Sequence, residues 1–266
     1  MAVGVGPSRL AKPLPRAHGV AKVLHLYGLT QAPGPSAESL RNVKGVDGAA
    51  PIEAIACGSV ISWVSRVPGA DFAHNLAENM QNLDWLAAAT TRHQEVVSAI
   101  AQTTDILPAR FGIEFRNERS LRSHVESRQA ALKVDFERIR DKQEWGVKVF
   151  VLPTEPKAGK KVRTGKEYLE AKSAQLRRAP AGGGAELLDF AKALRSIAAD
   201  LADGGKFAAA RRDLEFHKTI LLRRAHRAKL EKLIQSYSRK WKGKKRIECT
   251  GPWPPFSFVS QPESPV

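Results

Sequence analysis

Apolar positions in the first half of the chain alternate between short continuous runs and helical spacing. Val20–Thr30, VAKVLHLYGLT, is rich in β-branched and aromatic residues and stops at Gly28 and the Pro33-Gly34-Pro35 loop, which predicts a buried strand. The run to Val67, IEAIACGSVISWVSRV, has Gly58-Ser59 at its middle and predicts a hairpin, or one bent strand, closed by Pro68-Gly69. Asp71–Met80 reads as a short helix. Asp84–Ile100 reads as a longer one, with Trp85, Ala89, His93, Val96 and Ile100 on one stripe, so His93 is expected in the core, held by a hydrogen bond. After Pro108, ARFGIEF has the alternation of a strand, and Ser120–Arg140 returns to helical spacing with Leu121, Val125, Leu132, Phe136 and Ile139 inward.

The second half opens on EWGVKVFVL, a strand over Glu144–Leu152. Thr164-Gly165-Lys166-Glu167 has the spacing of a capping box and predicts a helix carrying Tyr168, Leu169 and Leu176. A second helix holds Leu187, Phe190, Leu194, Ile197 and Leu201. Past Gly204-Gly205 a helical piece with Ala208, Leu214 and Phe216 is expected to lead into a short strand, Thr219–Leu222. A helix over Ala225–Trp241 and a strand over Arg246–Thr250 follow. The last segment, GPWPPFSFV over 251–259, has three prolines that deny helix and four apolar side chains that need cover, so it is expected to be extended and packed.

This order of elements predicts an α+β protein of two domains, with a disordered segment 1–19, an N-terminal α+β domain 20–141, a C-terminal domain 142–250 and an extended Pro/aromatic tail 251–266. The βαβ units of the C-terminal half match a modified ferredoxin-like fold. Its 266 residues suffice for two cores.

Charge sharpens the division at 141. Residues 1–141 carry 16 basic and 14 acidic side chains, whereas 142–266 carry 27 and 13. Between Lys218 and Arg246 there are twelve Lys/Arg against one acid, Glu231. Nucleic acid, an anionic membrane surface and an acidic protein would each suit such a stretch. Phe216, Tyr237 and Trp241 interleave with these charges as nucleic-acid stackers would, but Tyr237 shares an apolar face with Leu230 and Leu233, which favours a core position.

Enzyme chemistry finds no foothold, and no cofactor or metal is expected. Gly159–Lys166 resembles a phosphate loop, yet five residues separate its glycines where four are needed, and Glu167 stands where a hydroxyl would hold magnesium. No G-x-S-x-G occurs. No two of the seven histidines lie within five residues of each other, and Cys57 and Cys249 are far apart, the usage of a reduced cytoplasmic chain. Residues 1–18 are basic but broken by Pro7, Pro13 and Pro15 with no apolar core after them, and no apolar run is long enough to span a membrane.

Seven segments keep one order along the chain: VLHLYGLT, SWVSRVP, DWLAAATTRHQEVV, ILPARFGIEF, EWGVKVFV, TGKEYL and GPWPPFSFV. Together they resemble the gas vesicle protein F/L family over about residues 22 to 259. The ending is the most specific part, although Phe256 stands where the family commonly has Tyr. The resemblance implies two α+β domains, no catalytic residues, and a minor structural or accessory role in gas vesicles, binding the small shell-forming protein during assembly. A shell subunit with an apolar face toward gas would aggregate unless another protein masked it. Candidate partner-binding residues are Arg223, Arg224, Arg227, Lys229 and Lys232 on the basic helix, and Trp253, Phe256 and Phe258 in the tail, which is also expected to pack within its own chain. The alternative is a nucleic-acid-binding protein using the same basic helix.

Overall fold

The computed structural model describes residues 22–153, 183–204 and 213–260. The first sheet contains β1 (Lys22–Gln31), β2 (Glu53–Cys57), β3 (Val60–Pro68) and β4 (Ile106–Pro108) in the order β2-β3-β1-β4, with β5 (Glu114–Phe115) also paired to β1. All its pairings are antiparallel. Eight consecutive residues of β1 are buried, which accounts for its unbroken apolar run: helices cover both faces of the sheet. Tyr27 is the extra residue of a bulge, and side-chain parity changes there, so Leu24 and Leu26 before it and Leu29 after it share one core.

That core is closed by α3 (Glu118–Ser127) and α4 (Gln129–Ile139) through Leu121, Val125, Leu132, Phe136 and Ile139. The single helix expected over 120–140 is two. Its first part ends as Arg128 N–H bonds Val125 at i−3 and the Ser127 hydroxyl takes the His124 carbonyl, which tightens and stops the last turn. On the other face α2 (Leu83–Thr103), capped by Asn82, packs Ala89, Val96, Val97 and Ile100 against Val23, Tyr27, Trp63 and Val67. The short helix expected at 71–80 is a π-helical turn, Ala70–His74, followed by α1 (Leu76–Asn79).

The strand expected in ARFGIEF is interrupted. Ala109 N–H bonds the Tyr27 carbonyl and Leu26 N–H bonds the Ile113 carbonyl, while 110–112 loop out between them, turning at Gly112, whose φ of 88° suits a residue without Cβ. The loop places Phe111 over the histidines described below.

The second sheet has the order β7-β8-β6-β9, from β6 (Lys142–Val151), β7 (Asp200–Asp203), β8 (Leu214–Arg223) and β9 (Lys245–Trp253), again all antiparallel. Helices α5 (Gly183–Ile197) and α6 (Arg227–Lys240) cover one face, where Phe190, Leu194 and Leu230 meet Trp145, Val147, Val149, Ile220 and Leu222. Two expectations are corrected here. Leu201 lies in β7, not at the end of a helix, and Leu214 and Phe216 belong to β8. Phe216, Ile220 and Leu222 keep the even spacing of one strand face, a bulge at Glu215 sets Leu214 off that period, and β6 pairs with the strand from Lys142 to Phe150. Thr164–Glu167, Tyr168, Leu169, Leu176 and Ala208 lie outside the described residues, as do 1–19 and 261–266.

β9 also runs three residues farther than expected, through Gly251-Pro252-Trp253, with Trp253 opposite Glu144 across a register shift. Gly251 has φ 141°, and a Cβ there would come within 2.9 Å of the Glu144 carbonyl oxygen and the Trp145 ring, so no other residue fits. Asp141, at φ 55°, joins the two halves. Its N–H donates to Asp105 at 2.9 Å and its carbonyl accepts from Arg224 N–H, also at 2.9 Å.

Candidate partner-binding surface

Helix α6 turns Leu230 fully inward and Leu233, Ile234 and Tyr237 partly so; its other faces are cationic. Among the candidate residues, Arg227 is held by Glu231 at 2.9 Å and lies over the Trp145 ring, and Arg224 donates through one Nη to Asp105 at 3.0 Å. Arg223, Lys229 and Lys232 are exposed, with no ion pair among the described residues. Phe216, Tyr237 and Trp241 pack into the third core, Trp241 completely, so the aromatics interleaved with the charges are turned away from solvent.

After Trp253 the chain crosses from the second sheet to the first as a strap. Ser257 donates its N–H and hydroxyl to the Glu144 carboxylate, and Ser260 donates the same two groups to Asp135, at 2.8 to 3.2 Å throughout. Both carboxylates are buried. Burial raises the Glu144 pKa and the two Ser257 bonds oppose that rise. Arg128 holds the Ser260 carbonyl at 3.1 Å. Phe256 packs on the core against α2, Val259 on the core against α3 and α4, and Phe258 is buried beside Arg138. Of the three tail candidates, Phe256 and Phe258 therefore face their own chain. Trp253 is 45% exposed.

Arg224 and Trp253, from the two separate groups of candidates, line one groove. It has a volume of about 240 Å³, lies between the halves under Pro254 and Pro255, and is floored by the buried Ile106 and Ile139. Arg223, Arg227, Lys229 and Lys232 do not line it.

The structure also assembles a buried polar chain in the first half that no spacing in the sequence announces. Glu114 lies opposite His25 in the β1–β5 ladder, 2.6 Å from its Nδ1; His25 Nε2 is 2.8 Å from His93 Nδ1; His93 Nε2 is 3.0 Å from the Ala109 carbonyl. Because that carbonyl can only accept, His93 carries its proton on Nε2, His25 donates from Nε2, and Glu114 must donate to His25 Nδ1. The 2.6 Å contact would suit an ion pair, but burial on both sides decides for the neutral form. It pushes Glu114 up to about 9 and both histidines down to about 3. Glu114 Oε2 has no hydrogen-bond partner, a vacancy tolerable for an acid and costly for a carboxylate. Phe72 packs edge-on against the His25 ring, and Phe111 packs edge-on against His93 and tilted against His25. Cys57 is buried, and burial raises the Cys249 thiol to about 11, the opposite of what an activated nucleophile needs. Among the described residues no cluster of three or more His, Cys, Asp or Glu could hold a metal, and no helix is long and apolar enough to cross a membrane.

Two antiparallel sheets, each packed with helices and tied together by a C-terminal strap, with a basic helix and a half-exposed tryptophan at the seam, describe a protein built around surfaces. The chain belongs to the family described as gas vesicle synthesis protein GvpL/GvpF, whose model matches residues 23–260. It is similar to gas vesicle protein L of a Streptomyces species, 27% identical over 225 residues that cover 79% of this chain and 83% of that one. The crystal structure of gas vesicle protein GvpF from Anabaena sp. superposes with a TM-score of 0.66 at 15% identity, covering 91% of this chain and 98% of that one. GvpF from Microcystis aeruginosa gives 0.61 at 17%, covering 90% and 99%. At these identities the two crystal structures speak to the fold.

Proposed function

We propose that this chain is a non-enzymatic accessory protein of gas vesicles that binds the small shell-forming protein in the cytoplasm and supports assembly. Membership of the GvpL/GvpF family supplies the context. The observation that carries the binding is the uncompensated cationic surface on and around α6, where Arg223, Lys229 and Lys232 stand exposed without ion pairs among the described residues. A cationic face steers association with an acidic partner and is of no use to the fold itself. The inward turn of Phe216, Tyr237 and Trp241 favours a protein partner over single-stranded nucleic acid, which would need those rings for stacking.

We divide the chain into domains 20–141 and 142–250 with the tail 251–266. Three separate cores, two in the first half and one in the second, support the division. For the second domain we adopt a ferredoxin-like fold, on the strand order β9-β6-β8-β7, which is 4-1-3-2 within that half, with its helices on one face.

The test is co-purification with the shell protein, comparing wild type with Arg223→Glu/Arg224→Glu/Arg227→Glu. Loss of the shell protein on reversal supports the reading; undiminished capture removes the electrostatic part of it. A deletion strain that makes normal vesicles would count against the assembly role.

A further inference from the structure

The groove at the seam unites groups that are remote in sequence. Trp253, Pro254 and Pro255 come from the strap, Ile106 from the first sheet, Lys142 from the start of β6 and Arg224 from the turn before α6. We propose that this groove is the docking site for an acidic, apolar-faced segment of a partner protein, which seats a large apolar side chain between Trp253 and the Ile106/Ile139 floor and sets carboxylates on Arg224 and Lys142. This rests on the reading of the chain as a partner-binding protein and assigns that partner's contact.

Size, surface and charge agree on the occupant. A volume of about 240 Å³ lies below the roughly 300 to 1,000 Å³ of small-molecule pockets and suits one or two inserted side chains. Trp253 is the most exposed of the large apolar side chains beside the groove, and among the described residues its Nε1 makes only a 3.4 Å contact to the Thr250 hydroxyl. Tryptophan in such a place is the residue type that most often anchors an interface. Two cations and one acid, Asp105, line the groove. Among the described residues Arg224 uses a single side-chain N–H on Asp105, and Lys142 Nζ bonds only the Arg140 carbonyl at 3.2 Å, so both keep donors for an incoming carboxylate. Asp105 is not stranded if Arg224 turns to a ligand, because its other oxygen holds the Asp141 amide.

The experiment titrates the full chain with a short synthetic peptide of alternating acidic and Leu/Phe residues, a Lys-for-Glu twin and a Ser-for-Leu/Phe twin. The readout is tryptophan fluorescence with acrylamide quenching. Trp63, Trp145 and Trp241 are buried, and the half-buried Trp85 is replaced by Phe in every protein titrated, so quenching reports chiefly on Trp253. The acidic apolar peptide is expected to protect Trp253, with affinity falling about tenfold or more in Arg224→Glu and in Lys142→Glu and with either twin, while Arg119→Glu, an exposed position on α3 that does not line the groove, changes it little. Trp253→Ala, read by calorimetry, should also weaken binding about tenfold. Circular dichroism shows whether each variant is folded. Equal binding by the folded groove variants, or no binding by the wild type, would overturn the proposal. Binding of single-stranded nucleic acid or anionic vesicles that protects Trp253 better than the peptide would overturn it as well. If Trp253→Ala and Lys142→Glu both capture the shell protein undiminished while Arg223→Glu/Lys229→Glu/Lys232→Glu loses it, the groove assignment fails and the partner-binding reading stands. If the peptide binds but shell protein is never captured, the reverse holds.

Discussion

Ser257 gives both its backbone N–H and its hydroxyl to one carboxylate, that of Glu144, at 2.8 and 3.0 Å, across 113 residues of chain. Glu144 is the third residue of β6, an inner strand of the second sheet, while the residues flanking Ser257 are packed over the first, so this one carboxylate pins the strap where it leaves the sheet.

Ser257→Ala is expected to lower stability by about 1 to 2 kcal/mol, since a hydrogen bond to a charged acceptor is lost while the amide bond remains. Glu144→Ala, which leaves two donors of Ser257 without their acceptor, should cost more. Denaturant midpoints at constant slope measure both. Midpoints equal to wild type would mean that the strap is held by its apolar side chains alone.

Phe258 and Trp253, five positions apart in one strap, are predicted to behave oppositely. Phe258 is 2% exposed, and Phe258→Ala should cost about 3 to 5 kcal/mol, the usual loss for a buried aromatic. Trp253→Ala should cost under about 1 kcal/mol and act on binding instead. Truncation after Thr250 removes Phe256, Phe258 and Val259 together and should lower stability by several kcal/mol, at roughly 1.5 to 3 for each large side chain. A truncated chain that melts at the wild-type temperature would make the strap a free arm.

The buried chain from Glu114 to His93 predicts a particular pH profile. Glu114 rises on folding from its ordinary 4.5 to about 9, so its contribution is full below 4.5 and is lost as pH rises toward 9. His25 and His93 fall from 6.5 to about 3, so theirs is full above 6.5 and is lost as pH falls. Tyr27, raised to about 12, stays neutral throughout this range. Wild-type stability should thus peak near pH 6.5 and decline toward pH 9 by about 1 kcal/mol per unit. Glu114→Gln keeps a donor toward His25 Nδ1 with nothing to ionise, so it should flatten the alkaline side and leave the acid loss in place. Parallel profiles for the two proteins above pH 6.5 would show that Glu114 is ionised in the fold.

A salt series separates the two parts of the proposed interface. Long-range steering by Arg223, Lys229 and Lys232 is screened over about 8 Å at physiological ionic strength. Raising salt should therefore slow shell-protein association, and Arg223→Glu/Lys229→Glu/Lys232→Glu should show a shallower dependence than the wild type. Surface plasmon resonance gives both rates. A salt-independent association rate would assign the contact to apolar surface.

Much of this protein was legible from local pattern. The stripe of Trp85, Ala89, His93, Val96 and Ile100 located α2 and sent His93 inward, and the order of VLHLYGLT through GPWPPFSFV carried the family, which the match over 23–260 shows. Local pattern also mistook the piece with Leu214 and Phe216 for a helix, because a few apolar residues next to a glycine pair fit either period until a partner strand selects one. What periodicity and motif cannot carry is which distant side chains meet. His25 and Glu114 face each other because two β-strands pair in register, and Arg224 and Trp253 share a groove because the strap leaves β9 toward the first sheet while the turn before α6 faces the same seam. Sequence alone determined most of the elements, their buried faces and the family, since those depend on residues a few positions apart. The tertiary structure decided the neutral Glu-His-His chain and the seam groove, since burial and convergence across a hundred residues arise only once the sheets close.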